Sequence, residues 1–496
     1  MTISTWNRMK DVVNSSYGLH TYLLVVFFIL FRCSQAFFYL TLFEVAIVSI
    51  VLLCLIFLAN KFFSFVLSKK TAASYVFVTT LFLPSLFFTS LIDLFKRMRL
   101  VDQVQWNRET VLYLLVFWVV IFVFLFKNRK PIFNFCRYLN ILFLALILYQ
   151  VSVLIVKTGK GEGSRAKLAT AASMDLPIKH LTAADSLPDI YFFIFDGYTG
   201  NAELRKEWNF DNSEISGFLQ DRNFHVSDSA ISAYNYTPIC LSSIFNMNYQ
   251  VAWFKELNDP YWGLTQYLSA IKNNQYCRIL KQNGYSLFNL SFFELNDQPV
   301  FTSFKAYSPA RNFCRFCLEN CILLRFFNNP YNAEQGKNNL KVFEEATTII
   351  RSKKEKKFVY GHFMLPHPAF FFDSSGTYYS RGEGKYKNEN ENYIEQLKYT
   401  NSLIKKLTDS ILFSNANSVI IIQGDHGSRL KKNGDGITSS VESHQPFSAV
   451  YFPRLGAVTI QEPLYTPNIF RLFLNKYFNA DLSLLPMAPD HFLRIK

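Results

Sequence analysis

The sequence predicts a two-part protein: an N-terminal bundle of about five transmembrane helices, then an α/β domain built on a central, mostly parallel sheet. Three observations carry this. Residues 1–150 hold 14 Lys/Arg against 5 Asp/Glu around long apolar runs, so most of the chain's net +14 lies in its first third. Beyond residue 187, apolar strand-like runs alternate with helix-like segments such as Leu340–Arg351 and Glu391–Phe413. Several of those runs end at an aspartate or histidine beside glycine, above all Ser418–Gln423, which leads into Gly424-Asp425-His426-Gly427.

The apolar stretches long enough to approach a bilayer's width are Thr21–Phe38, Phe43–Leu58, Tyr75–Leu94, Val111–Phe126 and Tyr138–Val156. The second and fourth are short and Arg32 interrupts the first, so four spans also fit. Basic clusters flanking apolar runs speak for membrane topology rather than nucleic acid, which is not an expected partner. With the N-terminus inside, nine basic residues face inward and eight outward, and five spans place everything after residue 160 outside. No small-residue cleavage site follows the first stretch, so a removed signal peptide is not expected. Lys160-Gly161-Glu162-Gly163-Ser164 reads as a flexible linker. The expected division is therefore 1–157 transmembrane, 158–187 linker and 188–496 catalytic, with a mobile loop over 377–392. Cys314, Cys317 and Cys321, with Cys277 upstream, leave disulfides, free thiols and a zinc site all open.

In open α/β sheets, ligands bind outside the carboxyl ends of the strands. Asp196 follows Ile190–Phe195 and is either a turn residue or a metal ligand. Asp425 and His426 read as paired metal ligands, because a turn alone seldom needs a histidine. Thr237 stands at an expected helix N-cap with Pro238 as the first helical residue. It is an ordinary cap, or a nucleophilic hydroxyl where the helix dipole favours an anionic substrate. His367 lies in the rigid Leu365-Pro366-His367-Pro368, and His444 precedes the run Phe447–Phe452. His362 alternates with apolar neighbours and reads as a core or supporting histidine. His20, His180, His225 and His491 have no such company.

In these residues the segment 188–454 resembles the sulfatase-like branch of the alkaline phosphatase superfamily. The whole chain is similar to its membrane-anchored bacterial members, the lipoteichoic acid synthases and phosphoethanolamine transferases. The resemblance implies that Asp196, Thr237, Asp425 and His426 bind one divalent metal ion, zinc or manganese, with a second ion left open. It makes Thr237 the catalytic nucleophile and His367 and His444 substrate-binding residues. Tyr393, Leu397, Tyr399 and Asn401 are similar to the helix before the last metal strand. Two departures stand out: Cys240 is followed by Leu241-Ser242-Ser243, without the Pro and Arg of the sulfatase Cys/Ser-x-Pro-x-Arg motif, and Asp196 replaces the glutamate usual in lipoteichoic acid synthases. The implied activity is transfer of phosphoglycerol or phosphoethanolamine from a membrane phospholipid donor to an envelope lipid or glycan acceptor. The catalytic domain would then lie on the periplasmic side of a bacterial inner membrane. Hydrolysis at the same site, as a phosphatase or phosphodiesterase, and a non-catalytic accessory role are the competing readings.

Overall fold

The computed structural model describes residues 18–35, 42–67, 71–88, 90–91, 108–127, 132–171, 187–250, 260–301, 312–319, 321, 330–352, 356–430, 441–453 and 460–487. The chain forms two compact units, Met1–Lys167 with Pro309–Asn328, and Leu168–Ser308 with Asn329–Lys496.

In the first unit the described parts of the apolar stretches lie in helices: α1 Leu19–Gln35, α2 Leu42–Val66, α3 Thr71–Leu86, α4 Arg108–Lys127 and α5 Phe133–Ala171. Among the described residues two segments, Leu42–Val66 and Phe133–Val156, are long and apolar enough to cross a membrane, and the other apolar helices there are shorter. α2 turns Phe43, Ile50, Phe62 and Phe65 outward and fully exposes a surface that water would disfavour. α5 runs on to Ala171, so the first half of the expected linker is helical, and 172–186 lie outside the described residues.

The cysteine cluster packs here too. In the helix Asn312–Glu319, Phe313 and Cys317, with Cys321 just beyond, join Leu24, Phe28 and Cys33 in one apolar core. The Phe313 backbone N–H donates to the Glu44 carboxylate at 3.4 Å. Buried Arg32 donates to Gln35 Oε1 (2.8 Å) and the Leu86 carbonyl (3.3 Å), with its guanidinium 5.5 Å from the Phe316 ring. All eight cysteines are free, and Cys277 is packed in the core of the second unit. The thiols serve as small apolar filler.

The second unit holds a six-stranded sheet: β1 Ile190–Phe195, β2 His225–Ser227, β3 Ser286–Leu290, β4 Lys357–Phe363, β5 Val419–Gln423 and β6 Ser448–Tyr451, in the order β2-β6-β5-β1-β4-β3. β3, β4, β1 and β5 are parallel, while β6 runs antiparallel to β5 and β2 antiparallel to β6. The sheet is therefore mixed but mostly parallel as expected, with antiparallel pairing confined to the β6 and β2 edge. A parallel neighbour needs a crossover, usually a helix. Between β5 and β6 the described residues offer a single 3-10 turn, Val441–His444.

Strand β1 shows how the core is layered. Ile190, Phe192 and Ile194 face one apolar cluster, and Tyr191, Phe193 and Phe195 face the other. Both faces are covered, so the strand is apolar throughout rather than alternating. Helices α6 Asn201–Trp208, α7 Ser213–Gln220, α10 Pro330–Arg351 and α11 Glu389–Ser414 pack on the second face. On the first lie α8 Thr237–Asn246, α9 Gln275–Gln282 and α12 Ile469–Phe478. The stretch 377–392 is tied down rather than loose: the Gly384 N–H donates to Phe370 O (3.0 Å), Asn392 Nδ2 donates to Tyr386 O (2.7 Å), and 389–392 open α11.

Candidate metal centre

Register brings the ligands together. Ile194 of β1 lies opposite Gln423 of β5 and His362 of β4. Asp196 and Asp425, each two residues beyond the paired Ile194 and Gln423, therefore emerge side by side at the carboxyl edge. Asp196, Asp425 and His426 are all buried and offer ligand atoms within 4.8 Å of one another. Asp425 Oδ1 accepts from the backbone N–H groups of Gly197 (3.1 Å) and His426 (2.9 Å). Its other oxygen, Oδ2, and Asp196 Oδ1 are buried without a hydrogen-bond partner. Such atoms are costly unless a ligand completes them. His426 Nδ1 faces the Gly427 carbonyl at 2.8 Å and must carry the proton, which turns the Nε2 lone pair inward. A ligating histidine usually has this arrangement. The donor set of two carboxylates and an imidazole suits a divalent ion.

Thr237 arrives from the other side. Helix α8 begins at Thr237, with Tyr236 as its cap residue and no side-chain cap hydrogen bond. Thr237 is thus one residue inside the expected N-cap position, and its hydroxyl serves the centre instead of the helix end. Oγ1 donates to Asp196 Oδ2 at 3.3 Å and lies 3.5 Å from His426 Nε2. Cys240, one turn on, is spent elsewhere: Sγ donates to the Tyr234 carbonyl at 3.3 Å, and burial pushes the thiol pKa well up.

The histidines sort by position. His362 Nε2 lies 3.4 Å from Asp196 Oδ2, while its Nδ1 pairs with the Tyr360 hydroxyl at 2.9 Å. It therefore orients the first carboxylate, the supporting one of the two roles left open by its alternation with core residues. Burial alone would raise the Asp196 pKa, but His367, the His362 hydrogen bond and His426 outweigh it and hold the carboxyl below its ordinary range. His367 is half-buried; its N–H donates to the Asp196 carbonyl at 3.1 Å, and its Nε2 meets Arg429 Nη2 at 3.2 Å. Arg429 escaped the sequence reading, although it stands three residues after His426. His444 closes a 3-10 turn against the loop that leads into Thr237, with Nδ1 3.2 Å from the Ser232 carbonyl.

One helix holds the surrounding loops. From α11, the Tyr393 hydroxyl donates to Gly197 O (2.9 Å) and accepts from the Thr199 N–H (3.1 Å). Gln396 accepts from Phe371 N–H (2.7 Å) and donates to the carbonyls of Pro366 (3.2 Å) and His367 (3.1 Å). Asn401 accepts from the Tyr198 hydroxyl at 2.5 Å.

Residues 233–456 match the sulfatase family. No curated protein matches the chain. Among solved structures, similarity extends to the integral membrane protein lipooligosaccharide phosphoethanolamine transferase A (EptA) from Neisseria meningitidis, at 12% identity over 94% of this chain and 95% of that one, with a TM-score of 0.41. The C-terminal periplasmic domain of EptC from Escherichia coli is 14% identical over 61% and 85%, with a TM-score of 0.40. The C-terminal periplasmic domain of phosphoethanolamine transferase EptC from Campylobacter jejuni is 12% identical over 62% and 93%, with a TM-score of 0.37. At these TM-scores the likenesses carry no argument about function. The family match falls on the segment that supplies Thr237, Asp425 and His426. Over residues 233–456 the chain thus matches the sulfatase family, the family that its motifs resemble.

Proposed function

We propose that the protein is a membrane-anchored, metal-dependent phosphotransferase that moves phosphoglycerol or phosphoethanolamine from a phospholipid to an envelope lipid or glycan through Thr237. One observation carries the reading: the Thr237 hydroxyl is turned away from capping its helix and toward Asp196 Oδ2 and His426 Nε2, beside two unpartnered carboxylate oxygens. Asp196, Asp425, His426 and Thr237 Oγ1 would hold one divalent ion, zinc or manganese. When bound, the ion lowers the hydroxyl pKa and offsets charge on the phosphoryl oxygens.

Thr237 Oγ1 gives up its proton and bonds to phosphorus as the donor's P–O ester bond breaks, and the diacylglycerol oxygen leaves with the electron pair and takes up the proton that the threonine released. An acceptor hydroxyl then attacks the same phosphorus and releases Thr237. Asp196 Oδ2, already accepting from the threonine, steers the hydroxyl, and His362 keeps that carboxylate in place. His444, whose Nδ1 lies 3.2 Å from the Ser232 carbonyl in the loop into Thr237, would bind the substrate. The two apolar helices of membrane-crossing length support an anchored enzyme whose donor is itself a membrane lipid. The five expected spans, with the N-terminus inside, would put the catalytic unit on the periplasmic side of an inner membrane, where soluble nucleotide donors are lacking.

The test uses full-length protein with vesicles of headgroup-labelled phosphatidylglycerol or phosphatidylethanolamine. Label should move to an acceptor in the wild type and not in Thr237→Ala, at equal metal content. Free labelled headgroup phosphate would mark a hydrolase instead. Wild-type turnover by Thr237→Ala would sink the covalent route.

A further inference from the structure

Arg429 and His367 form a pair whose hydrogen-bond polarity can be read without ambiguity. A guanidinium only donates, so His367 Nε2, 3.2 Å from Arg429 Nη2, must accept. His367 Nδ1 faces the Pro368 carbonyl, which only accepts, so Nδ1 carries the ring's one proton. Both nitrogens are committed within the protein, and the neutral imidazole has no donor left for a substrate.

The ring is fixed as well. Its backbone N–H is bonded to the Asp196 carbonyl, and its carbonyl accepts from Gln396 Nε2 at 3.1 Å. Gly197, at φ +69°, lies under it: a Cβ there would stand 3.7 Å from His367 Cδ2. His367 is thereby anchored to the turn that follows Asp196, and it holds the guanidinium at the edge of the metal centre.

Charge indicates what that guanidinium is for. A divalent ion balances the two carboxylates of Asp196 and Asp425, leaving the ligand set without net charge. Arg429 adds one permanent positive charge and a rigid fork of N–H donors, of which one is used on His367. A phosphodiester monoanion is the complement of that charge.

We propose that Arg429 recognises the non-bridging oxygens of a phosphodiester monoanion, and that His367 acts through it as a positioning residue. This rests on the metal-centre reading above. It gives the substrate-binding role expected of His367 to a residue 62 positions further along the chain.

The experiment measures binding of dimethyl phosphate to the full-length protein in detergent by calorimetry, with bound metal per chain determined in parallel. Arg429→Gln should weaken binding by about tenfold or more, the scale of a lost charge-assisted bidentate contact, without changing the metal content. Arg429→Lys should fall between, because a point charge lacks the fork. His367→Asn keeps a neutral acceptor for Arg429 and should stay within about threefold of wild type. His367→Ala should bind more weakly than His367→Asn. Arg429→Gln binding as wild type would overturn the proposal, as would a wild type that binds no dimethyl phosphate. His367→Asn losing as much as Arg429→Gln would return the contact to the histidine. A wild type that holds no zinc or manganese even after loading would refute the metal-centre reading separately, whereas loaded protein that is indifferent to Arg429→Gln would refute only the role of Arg429.

Discussion

Gly424 shows how tightly the centre is built, since a Cβ there would lie 2.5 Å from the Tyr198 carbonyl oxygen. A backbone atom cannot swing aside, so Gly424→Ala must displace the turn that carries Asp425 and His426. We expect about 1–3 kcal/mol of lost stability, the usual cost of overpacking, together with a fall in bound metal, checked by denaturant melts and metal analysis. Thr237→Ala should behave in the opposite way. Its hydroxyl caps nothing, so even the roughly 1 kcal/mol of a lost cap is not expected, while turnover disappears and Thr237→Ser retains part of it. The proximity of Asp196, Asp425 and His426 follows from their places just past neighbouring strands, which the apolar runs made legible. His362 was legible only as a core or supporting histidine, because its strand neighbours are all buried, and Arg429 was hidden because its partner lies in a distant loop.

At the scale of elements, α11 organises the site without contributing a ligand. Gln396 alone bonds the loop that bears His367 on both its amide nitrogen and its oxygen. Gln396→Leu leaves those buried backbone groups unsatisfied, at about 1–3 kcal/mol for each group that finds no water. A thermal melt should show that loss, and substrate binding should weaken with it. The edge of the sheet carries a pH dependence. Burial raises the Glu462 carboxyl, but hydrogen bonds from Ser227 and Ser229 (2.8 Å each), His225 (2.8 Å) and the Leu464 N–H (3.2 Å) prevail and hold its pKa below the ordinary value. A depressed carboxylate contributes stability above its unfolded pKa of about 4.3 and loses it as pH falls through the folded value. Glu462→Gln should therefore destabilise near neutrality and converge on wild type only as pH falls below the lowered folded value. The four parallel strands had enough length or apolar content to be noticed, apart from β3, whose Ser286–Leu290 is too short and mixed to declare a period. β2, with three residues, carries no period at all, so the antiparallel edge was not legible.

Across the whole molecule, the chain between β3 and β4 contributes to the first unit. The cysteine spacing over 314–321 drew attention to redox chemistry, but the structure uses this segment for apolar volume around Phe313. An eight-residue helix is too short for hydropathy to flag, which is why the excursion was not foreseen. Phe313→Ala should cost about 3–5 kcal/mol, read as a lower melting temperature of the full chain in detergent. Sidedness rests on a thin charge difference, and labelling a cysteine placed at Gly163 with a membrane-impermeant reagent tests it. Labelling in intact cells is expected, and labelling only after permeabilisation would put the catalytic unit inside.

The central claim is that Thr237 carries the transferred group, and acid-quenched peptide mass spectrometry tests it most directly. Metal-loaded full-length protein is mixed with phosphatidylglycerol or phosphatidylethanolamine vesicles and sampled through the first turnovers. The account predicts a phosphoglycerol or phosphoethanolamine adduct on the Thr237 peptide, absent after chelation. Headgroup turnover with Thr237 unmodified at every time point, and an equally active Thr237→Ala protein, would contradict it.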